Sequence, residues 1–374
     1  MKFSEIPGLK STKEKLIKTV ERGKVAHAQL FAGEEGTANL ALAIAYATLL
    51  NCTNRSGQGA CGVCSSCQKI KKFIHPDVHF IFPVSSAKNK TGKDVVSDSF
   101  IGEWRSFLTN NPYAGPLEWS QEFGGENKQL NISREESRNI LKKLSLKSFE
   151  GEYKVMIIWL VEYMHPSAAN ALLKILEEPP EKTVFLLVSN DHEKIIGTIL
   201  SRVQHLRIRA FKKTEISDHL VHHLNLGMDK ASQISNISGG DLNQAINLIE
   251  EVEDNTHGMF RDWMRICFAS NYLHMIKWAE EFGKINKIRQ KGLLQYGLSV
   301  IRDSLLIHHG ANEIVSLNAS ESEFVMKFSN TLDLIKLQKL YELMNSAFYH
   351  LERNGNPKII SLDTSLQISS AFRS

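Results

Sequence analysis

Short apolar runs alternate with helical patterns over the first 210 residues of the chain. Five of these runs are apolar or β-branched and are bounded by glycine, proline, asparagine or charged residues, as strands are. They are HAQLFA (27–32), DVHFIFP (77–83), KVMIIWL (154–160), TVFLLVSN (183–190) and VQHLRIR (203–209). Stretches with apolar residues at 3.6-residue spacing separate them. This alternation predicts an α/β fold in which helices cover both faces of a parallel sheet.

One helical stretch has well-marked ends. In SAANALLKILEEPP (167–180), Ser167 is the expected N-cap, because a serine side chain can accept a hydrogen bond from the first turn of a helix. Two prolines follow Glu178, and a proline disfavours the helical conformation in the residue before it. The helix is therefore expected to end at Glu178.

The strand pattern is interrupted once and then stops. Residues 84–130 read first as a polar stretch and then as an aromatic one, which predicts an insertion with at least one helix rather than a separate domain. After Arg209 no strand pattern remains. We therefore predict an α/β domain over 1–210, a small helical domain over 211–254 and a helical bundle over 255–374.

Composition limits the classes of function. With 374 residues, 42% of them hydrophobic, the chain is long enough for two or three domains that each bury a core. A net charge of +4 excludes a polycation that coats nucleic acid along its whole length. The longest apolar run, Leu40 to Leu50, is about half of the roughly 20 residues that cross a bilayer, so no membrane span is expected. The first residues lack the apolar segment of a secretory signal, and a reducing cytoplasm is the expected compartment.

Four of the five cysteines lie close together in CTNRSGQGACGVCSSC, with the spacing C-x8-C-x2-C-x2-C. Thiolates two residues apart on a tight turn can bind one ion, and four sulfurs at the corners of a tetrahedron suit zinc. The expected ligands of one zinc per chain are Cys52, Cys61, Cys64 and Cys67. Because four protein ligands leave no position open, the zinc would be structural rather than catalytic.

Other interpretations of these cysteines stay open. An iron–sulfur cluster also takes four thiolates, although the C-x3-C-P element of the bacterial ferredoxin pattern is absent. Free or redox-active thiols are a further alternative. His75 and His79 follow closely and could replace one sulfur, but we favour ordinary surface or loop positions for both.

Residues 33–40, GEEGTANL, follow the first predicted strand and precede a helical pattern. A strand, a glycine-rich turn and a helix form the setting of the phosphate-binding loop, G-x-x-x-x-G-K-[ST]. Gly33 and Gly36 keep the turn, but the last three places of the pattern hold Ala38, Asn39 and Leu40. The chain thus keeps the frame of a nucleotide site without the side chains that hold a nucleotide.

Several segments together carry a family resemblance. HAQLFAGEEG, the four-cysteine segment, HPDVHFIFP, SAANALLKILEEPP, FLLVSN and ILSRVQ occur in this order and at family-like intervals. The chain resembles the delta-prime subunits of the bacterial DNA polymerase III clamp loader, which belong to the AAA+ superfamily. The match is dense over 24–82 and 150–210, weak in the insertion and only architectural beyond residue 250. The resemblance implies that 211–254 is a helical lid and 255–374 a helical collar through which subunits assemble.

The resemblance also implies that the ATP site is degenerate. ATP-binding relatives carry lysine and threonine where this chain has Asn39 and Leu40. Counting back from the shared helix places Trp159 and Leu160 at the positions of their acidic pair, and Glu162 lies out of register. In the lid segment SGGDLNQAINLI, Asn243 stands where active relatives have an arginine that touches phosphate. We therefore expect this chain neither to bind nor to hydrolyse ATP.

A second implied feature acts on the nucleotide of another subunit. Ser201 and Arg202 in TILSRVQ match a Ser-Arg-Cys motif of clamp-loader subunits, with Val203 in place of the cysteine. That arginine is a finger inserted beside the terminal phosphate held by a neighbouring subunit, where it neutralises the charge that develops during transfer. The alternative is that Arg202 only forms a surface salt bridge at a helix end.

Taken together, these features favour a non-hydrolysing clamp-loader subunit. The implied partners are ATP-binding subunits of the tau/gamma type and a delta-type subunit, with the sliding clamp and primer-template DNA reached through the complex. A polymerase label would apply by complex membership alone. The alternative is a stand-alone zinc-dependent nucleic-acid-binding protein.

Some polar residues outside these motifs have a structural interpretation as well as a functional one. Basic residues on one predicted helix could contact a DNA backbone, but a solvated helix face explains them equally well. They are Arg134, Arg138, Lys142, Lys143 and Lys147. Asn190 ends a strand where active relatives orient the attacking water, and for this chain we favour a turn or capping role.

Overall fold

The computed structural model describes residues 1–87, 90–125, 128–145, 147–251, 256–285, 287–310 and 319–373. Five strands are present in this part of the chain: β1 (Ala28–Ala32), β2 (Val78–Ile81), β3 (Lys154–Trp159), β4 (Thr183–Ser189) and β5 (Gln204–Arg207). All five lie within runs that the sequence pattern predicts as strands. They form one parallel sheet in the order β2-β3-β4-β1-β5.

Eight α-helices accompany the sheet in the described residues. They are α1 (Lys10–Glu21), α2 (Asn39–Leu50), α3 (Ser65–Lys71), α4 (Ile101–Asn110), α5 (Pro116–Phe123), α6 (Arg134–Ser145), α7 (Pro166–Glu177) and α8 (Gly197–Leu200). Helix α2 packs on β1, β3 and β4, and all its residues are buried. Apolar residues of α6 and α7 form a core with the opposite face of the sheet. The predicted α/β fold with helices on both faces is confirmed.

Helix α7 begins two residues earlier than the sequence suggests. Its first residue is Pro166, and the N-cap is His165, whose Nδ1 accepts a hydrogen bond from the backbone of Ser167 at 3.2 Å. The expectation that Ser167 caps the helix is therefore wrong. Proline is well suited to the first helical position, because its fixed φ fits the helix and its missing N–H has no partner there in any case. The helix ends at Glu177, one residue from the expected end.

The insertion over 84–130 contributes two helices, α4 and α5, to an aromatic cluster. Trp104 is fully buried, stacks on Phe82 with ring centroids 4.1 Å apart, and lies 5.1 Å from both Trp119 and Trp159. The indole N–H of Trp119 donates to the carbonyl of Pro83 at 2.7 Å. The insertion is thus part of the core on the β2–β3 side of the sheet.

The rest of the described chain is helical. Its helices are α9 (Lys213–Leu224), α10 (Met228–Ile237), α11 (Leu242–Glu251), α12 (Thr256–Phe268), α13 (Tyr272–Phe282), α14 (Lys287–His308), α15 (Ala319–Thr331), α16 (Leu334–Glu352) and α17 (Pro357–Arg373). Trp263 and Trp278 stack in the bundle core with centroids 5.6 Å apart, and Trp263 donates to Ser365. None of the described helices combines the length and apolar character that crossing a bilayer demands.

The described chain divides into two compact units. Unit 1 contains residues 1–215 and 240–243, and unit 2 contains residues 216–239 and 244–374. The sheet, the cysteine segment and the insertion belong to unit 1. The three-part division into 1–210, 211–254 and 255–374 stays a prediction.

Candidate functional site

The loop between β1 and α2 keeps the geometry of a tight, glycine-dependent turn. The backbone N–H of Gly33 donates to the carbonyl of Ser189 at the end of β4 at 3.1 Å. Gly36 has a φ of +75°, and a Cβ on it would lie 1.7 Å from Oδ1 of Asp241. Its carbonyl also accepts a hydrogen bond from the backbone of Leu242 at 3.0 Å. Only glycine fits here, because segment 240–243 packs directly on the loop.

The side chain of Asn39 is turned into the protein and is satisfied there. Its Nδ2 donates to the carbonyls of Gly33 and Ser189, both at 3.2 Å, and to Oδ1 of Asn190 at 2.8 Å. Its Oδ1 accepts from the backbone N–H of Leu40 at 2.8 Å. Asn39 is only 5% exposed. Asn39, the residue predicted to stand in place of a phosphate-binding lysine, thus ties the loop to the end of β4.

The positions predicted for the acidic pair are apolar and buried. Trp159 at the end of β3 is 2% exposed, and its ring lies 5.1 Å from Trp104 and 5.6 Å from Phe107. Leu160 is fully buried and has a left-handed φ of +55°. Magnesium takes oxygen ligands, and neither side chain has an oxygen.

The insertion also reaches the other side of the loop. Asn111, which follows α4, donates to Oδ1 of Asn243 at 2.7 Å, and Nδ2 of Asn243 donates to Glu118 of α5 at 2.8 Å. A Cβ on Gly115 would lie 2.0 Å from Oε1 of Glu35, so the insertion is in close contact with the loop itself. No local sequence pattern predicts these contacts, since they join residues far apart in the chain.

Glu162 lies in the turn after β3 and has a structural role there. Its Oε1 accepts the backbone N–H groups of Asn190 at 2.9 Å and Asp191 at 3.3 Å. Burial raises the pKa of its carboxyl above the ordinary value. It lines a cavity of about 590 Å³, together with Glu35, Leu160 and other residues at this end of the sheet. The turn or capping role favoured for Asn190 stays a prediction; in the structure its Oδ1 accepts a hydrogen bond from Asn39.

Arg202 lies just after α8 and forms an ion pair within the chain. Its Nε donates to Oε1 of Glu177 at 2.8 Å, and Nη2 donates to the same oxygen. Nη1 donates to the carbonyl of Thr198 at 2.9 Å and to Oγ of Ser201 at 3.3 Å. The Arg202 side chain remains 35% exposed and that of Glu177 50% exposed. The structure therefore contains the salt bridge that was the alternative interpretation, and the finger role stays a prediction.

The four predicted cysteines come together. Their Sγ atoms all lie within 4.8 Å of one another, and Cys52 and Cys67 are buried. Backbone N–H groups point at the sulfurs: that of Cys61 lies 3.3 Å from Cys52 Sγ and that of Cys64 lies 3.4 Å from Cys61 Sγ. Four sulfurs at about 2.3 Å from one zinc are about 3.8 Å apart, so the donor set fits a tetrahedral metal. The cluster can bind a metal ion.

The two nearby histidines lie outside this group of four. His75 is 4% exposed, and its Nδ1 accepts the backbone N–H of Asp77 at 3.1 Å. Of the surface or loop positions expected for His75, the loop is confirmed and the surface is wrong, since His75 is buried in the loop between α3 and β2. His79 is half-buried on β2, so the surface or loop position expected for it is wrong. Burial, together with nearby Lys143 and Lys154, lowers its pKa to about 4.

The basic residues of α6 are partly neutralised. Arg138 pairs with Glu135 at 2.8 Å and Lys143 with Asp98 at 2.6 Å. Arg134 and Lys142 are exposed on the same helix. The arrangement matches a solvated helix face, although Lys147 lies beyond the end of α6 and not on it as predicted.

We expect Trp104→Ala to destabilise unit 1 by about 3–5 kcal/mol, because it removes a fully buried indole from the aromatic cluster. The measurement is the free energy of unfolding from denaturant titration. Leu117→Ala is the control, since Leu117 also belongs to the insertion but is 47% exposed, and its effect should stay within about 0.5 kcal/mol. Equal losses in the two variants would contradict a core role for the insertion.

Comparison with known proteins gives consistent matches. A family model described as DNA polymerase III, delta subunit, matches residues 8–212. The chain is 24% identical over 335 residues to DNA polymerase III subunit delta' of Escherichia coli K12, covering 89% of this chain and 85% of that protein. It is 28% identical to subunit tau of the same organism, covering 60% of this chain and 28% of that protein. A solved gamma subunit-related protein of Thermotoga maritima aligns over 95% of this chain and 99% of its own, with 15% identity and a TM-score of 0.37.

Proposed function

The chain belongs to the family described as DNA polymerase III, delta subunit, and from this premise we propose that it is the non-hydrolysing subunit of a clamp loader. Its neighbours in the complex are ATP-binding subunits of the tau/gamma type and a delta-type subunit. The complex as a whole places the sliding clamp on primed DNA. Arg202 reaches the ATP site of the neighbouring subunit, and Ser201 belongs to the same motif.

The contacts made by Asn39 in the loop between β1 and α2 are the main support for this proposal. Asn39 donates to oxygen atoms of Gly33, Ser189 and Asn190, so its side-chain N–H groups are used within the chain and are not available to a phosphate. The insertion adds contacts at Glu35, Trp159 and Asn243. A nucleotide at this loop would find neither a lysine at position 39 nor a magnesium ligand at Leu40, Trp159 or Leu160.

The cysteine cluster has a supporting role in this proposal. One zinc bound by Cys52, Cys61, Cys64 and Cys67 would fix the segment between α2 and α3. Four thiolates give the ion a closed coordination shell, so it contributes folding energy and no open position for a substrate.

We expect the isolated chain to neither bind nor hydrolyse ATP. Magnesium ATP should leave its melting temperature unchanged, because a ligand stabilises a protein only by binding its folded state. Asn39→Lys should not restore turnover, since Leu40, Trp159 and Leu160 still offer no metal ligand. Magnesium-dependent hydrolysis by a sample free of other ATPases would contradict the proposal.

Reconstitution separates this function from the alternative of a stand-alone nucleic-acid-binding protein. The full chain is mixed with candidate partner subunits, and clamp loading on primed DNA is measured with and without it. Dependence of loading on this chain supports the proposal. A monomer that ignores the partners and binds duplex DNA with a steep salt dependence supports the alternative.

A further inference from the structure

The contact between Glu177 and Arg202 joins two helices that are separate in the chain. Glu177 is the last residue of α7, and Arg202 follows α8. The carboxylate accepts from Nε and Nη2 of the guanidinium, while Nη1 is held by the carbonyl of Thr198 and the hydroxyl of Ser201. All three guanidinium nitrogens are therefore anchored, although the Arg202 side chain is 35% exposed.

The position of Glu177 argues against a role in helix stability. A carboxylate in the last turn of a helix lies at the negative end of the helix dipole, which is an unfavourable place for it. An exposed ion pair also contributes little to folding. The contact thus brings little to the fold, and its clear structural effect is to fix one orientation of Arg202.

We propose that Glu177 is a positioning residue for Arg202, which it holds ready to contact the nucleotide phosphate of a neighbouring subunit. This proposal rests on the proposed function of Arg202. A free arginine must lose the motion of a long side chain when it reaches the phosphate, and an arginine already held in place loses less. Glu177 acts through Arg202 and touches no nucleotide itself.

The chain supplies a matched control in the next residue. Glu178 carries the same charge and is exposed, and among the described residues it has no hydrogen bond or ion pair with Arg202. Glu177→Ala and Glu178→Ala therefore change the net charge equally at almost the same place. Only the first removes the partner of the guanidinium.

The test uses the reconstituted complex with primed DNA, in which only the ATP site next to this chain is left competent. Glu177→Ala should lower kcat at that site by about 2- to 10-fold, the loss expected when one long side chain must be ordered at each turnover. KM for ATP should stay unchanged. The kcat of Glu177→Gln should lie between those of Glu177→Ala and the unmodified complex, because its amide oxygen still accepts from the guanidinium. The kcat of Glu178→Ala should equal that of the unmodified complex.

Two outcomes would overturn the proposal. Equal rates for Glu177→Ala and Glu178→Ala would show that the contact has no part in the reaction, and a faster Glu177→Ala complex would show that Glu177 holds Arg202 back. The Arg202→Ala background tests whether Glu177 acts through Arg202, because Glu177→Ala should then have no further effect. If Arg202→Ala alone changes nothing, the finger hypothesis itself fails, and this result is distinct from the other two. Melting temperatures of all variants report on folding.

Discussion

Replacing Arg202 with alanine is expected to slow hydrolysis at the neighbouring ATP site by about 10³- to 10⁵-fold, the effect of removing such a finger in other nucleotide hydrolases. The change removes a cation that stabilises charge on the transferring phosphoryl group. Arg202 is partly exposed and pairs with one exposed carboxylate, so the chain should stay folded and still enter the complex. The measurements are DNA-stimulated ATPase and clamp-loading rate of the complete complex.

The loss of ATPase activity in the Arg202→Ala complex should be partial. Other ATP sites in the complex do not face Arg202, so total ATPase should fall only in part. Arg202→Lys should rescue poorly, because an ammonium keeps the charge but not the planar fork that pairs with two phosphate oxygens. The finger role would be contradicted if the Arg202→Ala complex assembled and loaded clamps at the unmodified rate under limiting ATP. The salt bridge with Glu177 would then be the role left for Arg202.

The second large effect concerns the cysteine cluster. Cys64→Ser should remove the one zinc expected per chain, whose binding in comparable sites is worth about 10–16 kcal/mol. Residues 52–67 should then loosen, while the sheet persists because its core lies on β1, β3 and β4. Elemental analysis measures the metal, and hydrogen exchange measures the loosening.

Cys267→Ala is the control for the zinc experiment. Cys267 is also a buried cysteine, but it lies on α12 in unit 2 and outside the cluster of four. This variant should keep its zinc. Protein purified without chelators that contains no zinc, or that contains stoichiometric iron, would contradict the assignment.

The sequence predicted the elements whose pattern is local. All five strands were recognisable because each is a short apolar run between turn residues, and the four cysteines because metal ligands recur at short spacing. The start of α7 is not evident from the sequence, because serine is a usual N-cap and histidine is not. In the structure the ring of His165 caps the helix. The departure from the phosphate-binding pattern at Asn39 and Leu40 is likewise visible in the sequence, since it depends on residue types alone.

The contacts around the loop between β1 and α2 were not predictable, because they join residues far apart in the chain. Asn39 meets Asn190 across 151 positions, and Asn111 meets Asn243 across 132. No local pattern distinguishes an asparagine that bonds inside the protein from one that faces solvent. The same holds for Arg202, whose partner Glu177 lies 25 residues away and is one of two adjacent glutamates.

The placement of the tryptophans makes the two units optically separable. Trp104, Trp119 and Trp159 lie in the aromatic cluster of unit 1, and Trp263 and Trp278 stack in unit 2. All five are at most 7% exposed, so their fluorescence should be blue-shifted in the native protein and red-shifted on unfolding. With Trp263 and Trp278 changed to phenylalanine, the remaining emission reports on the sheet and its insertion alone. With Trp104, Trp119 and Trp159 changed to phenylalanine instead, the emission reports on the helical bundle. The order in which the two units unfold can then be measured without attaching a dye.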